Sequence, residues 1–186
     1  MLIADLAARP RATDAVYLMV HPDPPAARQL GNLGRRLYEQ SQSIDRLIEA
    51  DRLHATLFDV CPFGRLMGTT LTTIDTALSG ITMRPFLYGL DLVTNFGSER
   101  NPAVVVRGDE GIPGLLMLQA EMAMTMRRIG FRLKPRTPHV TLGYGRAKVL
   151  EQPVDQVRWT VRGFALVCSL HGRHQHVTLG HWRLSS

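Results

Sequence analysis

In this chain of 186 residues the tetrapeptides His54-Ala55-Thr56-Leu57 and His139-Val140-Thr141-Leu142 each pair an imidazole with a hydroxyl. Histidine titrates near neutral pH and can take up or release a proton during a reaction. A threonine hydroxyl beside it can donate a hydrogen bond to an oxygen on which negative charge builds. In an extended strand alternate side chains point to opposite faces, so His54 and Thr56 would share one face and Leu53, Ala55 and Leu57 the other. The same alternation separates His139 and Thr141 from Val140 and Leu142. Two such strands facing one cleft would place two proton-transfer groups and two hydroxyl donors in a symmetric site that needs no metal and no cofactor.

The elements that must position these strands are legible in outline. Residues 1–14 hold no sustained period and read as a loosely held tail or short helix, with 15–186 as a single domain. Val16 to Val20 is an apolar run closed by His21-Pro22-Asp23-Pro24-Pro25, a first strand halted by prolines. From Ala26 to Ala50, Leu30, Leu33, Leu37, Ile44, Leu47 and Ile48 recur at helical spacing, which predicts one amphipathic helix or two joined near Ser41. The first motif strand, Leu53 to Val60, is followed by a helix over Leu66 to Leu78 with Gly80 as its stop. Ile81 to Phe86 and Tyr88 to Val93 read as strands, Asn95 to Asn101 as a turn and Ala103 to Arg107 as a strand. A helix opening near Pro113 runs to Ile129 and stops at Gly130. Its Leu115, Met122, Met126 and Ile129 stripe suits core packing. After the second motif, Trp159 to Leu170 and His176 to Leu184 form a terminal strand pair. The order strand, helix, motif strand thus occurs twice, which predicts an α+β, two-lobed duplicated fold of two antiparallel sheets facing a central cleft, helices outside.

Composition narrows the function classes. No run approaches the ~18 apolar residues of a membrane span, and the first residues lack the basic and apolar regions of a signal peptide, so a cytoplasmic protein is expected. Cys61 and Cys168 are the only cysteines and read as reduced thiols. The formal charge of +6 favours anionic partners. It is carried by arginine, with only Lys134 and Lys148 as lysines, and a guanidinium can give two parallel hydrogen bonds to one phosphate. Arg127, Arg128, Arg132, Lys134 and Arg136 crowd the approach to the second motif; they either funnel a phosphate-bearing substrate or complement a helix C-terminus.

With Leu53-His54-Ala55-Thr56-Leu57 and Pro138-His139-Val140-Thr141-Leu142, and a tail in which His176, Leu179, Trp182 and Leu184 match an aromatic-x-x-Leu-x-x-Trp-x-Leu spacing, the chain resembles the two-histidine (2H) phosphoesterases over about Val16 to Leu184. Within them it is similar to the bacterial 2′-5′ RNA ligase-like group that acts as RNA 2′,3′-cyclic phosphodiesterases. The resemblance implies metal-independent hydrolysis of the 2′,3′-cyclic phosphate of an RNA end or small nucleotide to a 2′-phosphate. His54 and His139 would be the general acid and base, in an order left open, and Thr56 and Thr141 would bind phosphate. Tyr144 stands where many members carry arginine, with Arg146 nearby; Tyr144, Arg146, Arg132 and Arg136 are the candidate substrate contacts.

Four alternatives remain. His176-Val177-Thr178-Leu179 repeats the second tetrapeptide, but no helix precedes it, so His176 is read as structural. His171, His174, His176 and His181 superficially suggest metal ligands without an acidic or cysteine partner nearby; a surface hairpin is the simpler reading, and no metal site is assigned. A non-catalytic RNA or nucleotide binder keeping the same cleft is the third, while a thiol enzyme built on Cys61 lacks a histidine at an identifying spacing.

Overall fold

The computed structural model describes residues 9–41, 44–66 and 69–185. Among these, three helices and ten strands follow one another as β1 (Ala15–Val20), α1 (Pro24–Ser41), β2 (Ile44–Leu47), β3 (Ala55–Pro62), α2 (Thr69–Ser79), β4 (Phe86–Phe96), β5 (Ala103–Arg107), α3 (Ile112–Arg128), β6 (Lys134–Pro135), β7 (Val140–Gly145), β8 (Gln152–Val161), β9 (Gly163–Leu170) and β10 (Gln175–Arg183). The fold is α+β, as the sequence predicts. Its strands run β10-β9-β1-β3-β7-β5-β4-β8, all neighbours antiparallel, with β2 added to β7 and β6 to β3.

The duplication is visible in this register. β1 pairs with β3 so that Val20 meets Ala55, and β5 pairs with β7 so that Val106 meets Val140. Each partnered residue directly follows a motif histidine. The two half-sheets meet at one pair, Ala55 with Val140, and each half lends its short post-helix strand to the other: β2 to β7, β6 to β3. The motif strands are therefore clamped to one another at the residues that aim the histidines.

Local chemistry accounts for the helices. Asp23 caps α1, its carboxylate accepting from the Ala26 amide at 2.9 Å, and Pro24 and Pro25 occupy the first turn, where a missing donor costs little. Ala26, Leu30, Leu33 and Leu37 are its buried stripe. At the other end of α3, Gly130 adopts φ +89° and the Phe131 amide donates back to the Met126 carbonyl at 2.9 Å, a left-handed stop that favours glycine.

Four expectations need correction. Helix α1 ends at Ser41, and Ile44–Leu47 is a strand, because pairing to β7 offers its backbone a partner distant in sequence. The strand expected over Ile81 to Phe86 is absent up to Pro85, and β4 runs unbroken from Phe86 to Phe96, into the turn expected at Asn95. The strand expected from Trp159 to Leu170 is two, since Trp159 lies near the end of β8 and Gly163 opens β9. Of the tail, residues 1–8 lie outside the described residues. Residues 9–14 are tied down: the Phe63 and Gly64 amides donate to Asp14 and Ala12 at 2.7 and 2.9 Å, and Arg173 to the Arg9 carbonyl at 3.0 Å.

The buried Gln119 of α3 sets the approach to the second motif. Its Nε2 donates to the carbonyls of Leu57 (3.0 Å) and Arg136 (2.9 Å), tying the strand of the first histidine to the segment that delivers the second. Gln119→Leu takes this donor from the Arg136 carbonyl, while the Leu57 carbonyl still accepts from the Arg136 amide at 2.9 Å, at a cost of about 1–3 kcal/mol. Thermal denaturation should register this as a fall in Tm of about 2–12 °C.

Candidate active site

β3 and β7 keep the predicted alternation. Ala55, Leu57, Val140 and Leu142 are buried in the core, while His54, Thr56, His139 and Thr141 open into one cleft of 660 Å³. Each imidazole is oriented in the same way. His54 Nδ1 lies 2.7 Å from the Arg52 carbonyl and His139 Nδ1 2.7 Å from the Thr137 carbonyl, each two residues upstream. A carbonyl oxygen can only accept, so Nδ1 carries the proton in both rings and Nε2 is left for chemistry in the cleft.

The surroundings favour the neutral rings. Burial pushes His54 below the ordinary imidazole value, with the charges of Arg52 and His139 acting the same way against the carbonyl hydrogen bond. Burial likewise lowers His139, helped by Arg136 and opposed by its bond to Thr137. Phe96 packs edge-on against His139 at 4.7 Å.

The other candidate residues divide. Tyr144 and Arg136 line the cleft. Arg136 is bound to Asp59, with nitrogen-to-oxygen distances of 2.6 and 2.9 Å. Arg146 does not line it; the side chain is 87% exposed and pairs with Asp45 at 2.9 Å. Arg132 lies in a separate groove with Ala123, Arg127, Phe131 and Leu133. Both leave the list of cleft contacts, because the sequence gives charge near a motif but not the direction in which a side chain leaves its strand or loop.

The structure also places in the cleft groups that sequence reasoning missed, chiefly Tyr17, Arg46, Arg52 and Asp59. Arg46 lies in the stretch read as helix and Arg52 just beyond it, so their cleft-facing positions had no local signal. His176, read as structural, reaches the same cleft: its ring stands edge-on to His54 at 5.2 Å, and the His21 ring is 6.3 Å from that of His54. Burial first, then the neighbouring imidazoles and, for His176, Arg52, hold His21 down to about 4 and His176 to about 3, so both are neutral at physiological pH. His171 and His174 also line the cleft wall. Among the described residues no three His, Cys, Asp or Glu side chains gather into a group that could hold a metal ion, so the terminal histidines do not converge on one point. Cys61 lies outside the cleft lining, and burial pushes its thiol above its ordinary value. No helix among the described residues is long and apolar enough to cross a membrane.

No sequence profile of a known family matches the chain, and no curated protein sequence matches it. Solved structures do. The crystal structure of E. coli LigT complexed with 3′-AMP matches with a TM-score of 0.77 at 19% identity, covering 93% of this chain and 99% of that one. LigT complexed with NADP+ matches at 0.76 and 18%, over 93% and 99%. TT0787 of Thermus thermophilus matches at 0.71 and 19%, over 91% and 97%. At such identities the likeness establishes the fold: this chain has the fold of LigT, essentially end to end.

Proposed function

We propose that this chain is a two-histidine phosphoesterase that opens the 2′,3′-cyclic phosphate of an RNA end or nucleotide to a 2′-phosphate without a metal ion. One observation carries the reading: two imidazoles of matching orientation, each with Nδ1 tied to a carbonyl and each two residues before a threonine, open into one cleft. LigT, whose fold this is, has been crystallised with 3′-AMP, a ribonucleotide with phosphate on the same edge of the ribose, which supports it.

The chemistry follows from the groups present. With the cyclic phosphate between the motif strands, the Nε2 of one histidine takes a proton from water as its oxygen attacks phosphorus. The other histidine, protonated on Nε2, gives its proton to the departing 3′-oxygen, so the bond to that oxygen breaks as the new one forms. Thr56 and Thr141 donate to the non-bridging oxygens, where charge accumulates in the pentacoordinate state. Arg136, drawn toward Asp59, borders the site without standing free as a point charge.

Incubating the purified protein with nucleoside 2′,3′-cyclic phosphates and resolving 2′- from 3′-phosphate products tests the reading. Turnover to 2′-phosphates is the expected result; tight binding with no turnover would favour a non-catalytic binder. Because burial lowers both imidazoles and one must be protonated, the kcat/KM profile should be a bell centred on the acid side of pH 6.5. A plateau extending unchanged to pH 9 would contradict it.

A further inference from the structure

The pseudo-symmetry of the cleft is broken in its charges. Five residues beyond the motif histidines stand Asp59 and Tyr144, each beside an arginine lent by the other half's post-helix segment. Arg136 meets Asp59 as an ion pair at 2.6 Å. Arg46 instead lies over the Tyr144 ring, its guanidinium carbon 4.9 Å from the centroid, which orients the cation without neutralising it. Two residues before the histidines the contrast recurs: Thr137 in one half, Arg52 in the other. Arg52 lines the cleft, makes no ion pair among the described residues, and its Nε is buried without a hydrogen-bond partner. Asp59 is the one carboxylate among the described lining residues, and it is committed to Arg136. Arg46 likewise makes no ion pair among the described residues, so both uncompensated guanidiniums of the cleft come from one segment, Arg46 to Arg52.

Arg52 is half-buried, and such a cation with no counter-ion is costly unless a ligand supplies the anion, while Arg46 is exposed and open to the same ligand. The threonines already serve the scissile phosphate. We propose that Arg46 and Arg52 form a second anion subsite that takes a phosphate 5′ to the scissile group, so that the preferred substrate carries at least two phosphates. This rests on the phosphoesterase reading above and adds a direction to it: the phosphate chain leaves the centre past residues 46–52, not past Asp59. The second phosphate has two possible sources, the internal phosphodiester of an RNA chain or the terminal 5′-phosphate of a mononucleotide.

Three substrates separate these sources: adenosine 2′,3′-cyclic phosphate, the same compound bearing a 5′-phosphate, and a diadenosine ending in the cyclic phosphate. We expect kcat/KM at least tenfold higher for a two-phosphate substrate than for the first, chiefly through KM and more steeply dependent on salt. Preference for the dinucleotide identifies a chain, and preference for the 5′-phosphorylated compound a mononucleotide. In Arg46→Met/Arg52→Met the advantage should fall close to one, and the double lysine variant should keep part of it. Tyr144→Asp restores the symmetry by giving Arg46 a carboxylate, and should cut the preference severalfold with both arginines in place. Equal treatment of all three substrates by the wild-type protein, or an undiminished preference in the folded methionine variant, overturns the proposal. If no substrate is turned over, the hydrolytic reading fails separately and calorimetry decides the subsite. Adenosine 3′,5′-bisphosphate binding at least tenfold tighter than 3′-AMP, with the difference lost on Arg46→Met/Arg52→Met, supports it, and equal affinities refute it.

Discussion

Replacing either His54 or His139 by alanine should lower kcat/KM for a cyclic phosphate by about 10² to 10⁴, the usual loss when a general acid or base is removed. Each ring meets the requirement independently: it lines the cleft with no hydrogen bond to Nε2 among the described residues, its Nδ1 is held by a carbonyl, and a threonine stands two residues on. In the proposed mechanism the two act as a unit in one turnover, so the double variant should be little slower than either single one. His176→Ala is the control, since it removes a third imidazole 5.2 Å from His54 that carries the same local tetrapeptide. That ring is held neutral down to about pH 3, so it cannot serve as the acid near neutrality, and no carbonyl hydrogen bond fixes its tautomer among those described. Its loss should leave the rate within roughly tenfold of the wild type. Steady-state kinetics on variants with unchanged melting curves decide the matter; His176→Ala as slow as His139→Ala would mean that the wrong pair of strands has been assigned.

How much of this could be read from the residues depends on whether the deciding interaction is local. The motif strands were legible because a period of two separates the apolar residues from the imidazoles and hydroxyls within four positions, and the core enforces that separation. Helix α3 was legible because Pro113 and Gly130 act on their own backbone. Residues 44–52 were not. Ile44, Leu47 and Ile48 continue the spacing of Leu30, Leu33 and Leu37, and nothing nearby announces that residues 143–145, a hundred positions on, provide a strand to pair with. Arg46 was lost with that pairing. Gly143 makes the approach possible, since a Cβ there would lie 2.6 Å from the Arg46 carbonyl, but a glycine after a motif reads as an ordinary strand exit. His176 shows the converse case. Its tetrapeptide is legible, yet nothing local says that a strand three places away in the sheet sets its ring 5.2 Å from that of His54. Arg132 and Arg136 differ for the same reason: the Arg136 backbone is held to Leu57 and Gln119, which turns its side chain toward Asp59.

The largest stability effect should come from a residue outside the cleft. Asp14 precedes β1 with its side chain fully buried, accepting from the amides of Arg11 (2.7 Å) and His171 (3.0 Å) and from the Arg173 guanidinium (3.1 Å). It joins the start of β1 to the β9–β10 turn, which carries His171 and His174 into the cleft wall and holds His174 at φ +52°, a conformation a side chain seldom adopts without support. Asp14→Ala leaves Arg173, 30% exposed, without its counter-ion and two amides without acceptors. The cost should be about 3 kcal/mol, a fall in Tm of about 6–12 °C. The pH dependence gives a second signature. Burial alone would raise the Asp14 carboxyl, but the two amides and Arg173 outweigh it and the net shift is downward. A carboxyl lowered on folding contributes stability that is present above its unfolded value of 3.8 and is lost as pH falls through the folded value. His21 and His176, lowered to about 4 and about 3, begin to cost stability earlier, as pH falls below 6.5. Acid unfolding should therefore have two limbs, and Asp14→Asn should remove the one below pH 4 while leaving the one that starts near 6.5. Equilibrium denaturation at a series of pH values separates them, and a variant that retains the full loss below pH 4 would show that Asp14 does not carry it.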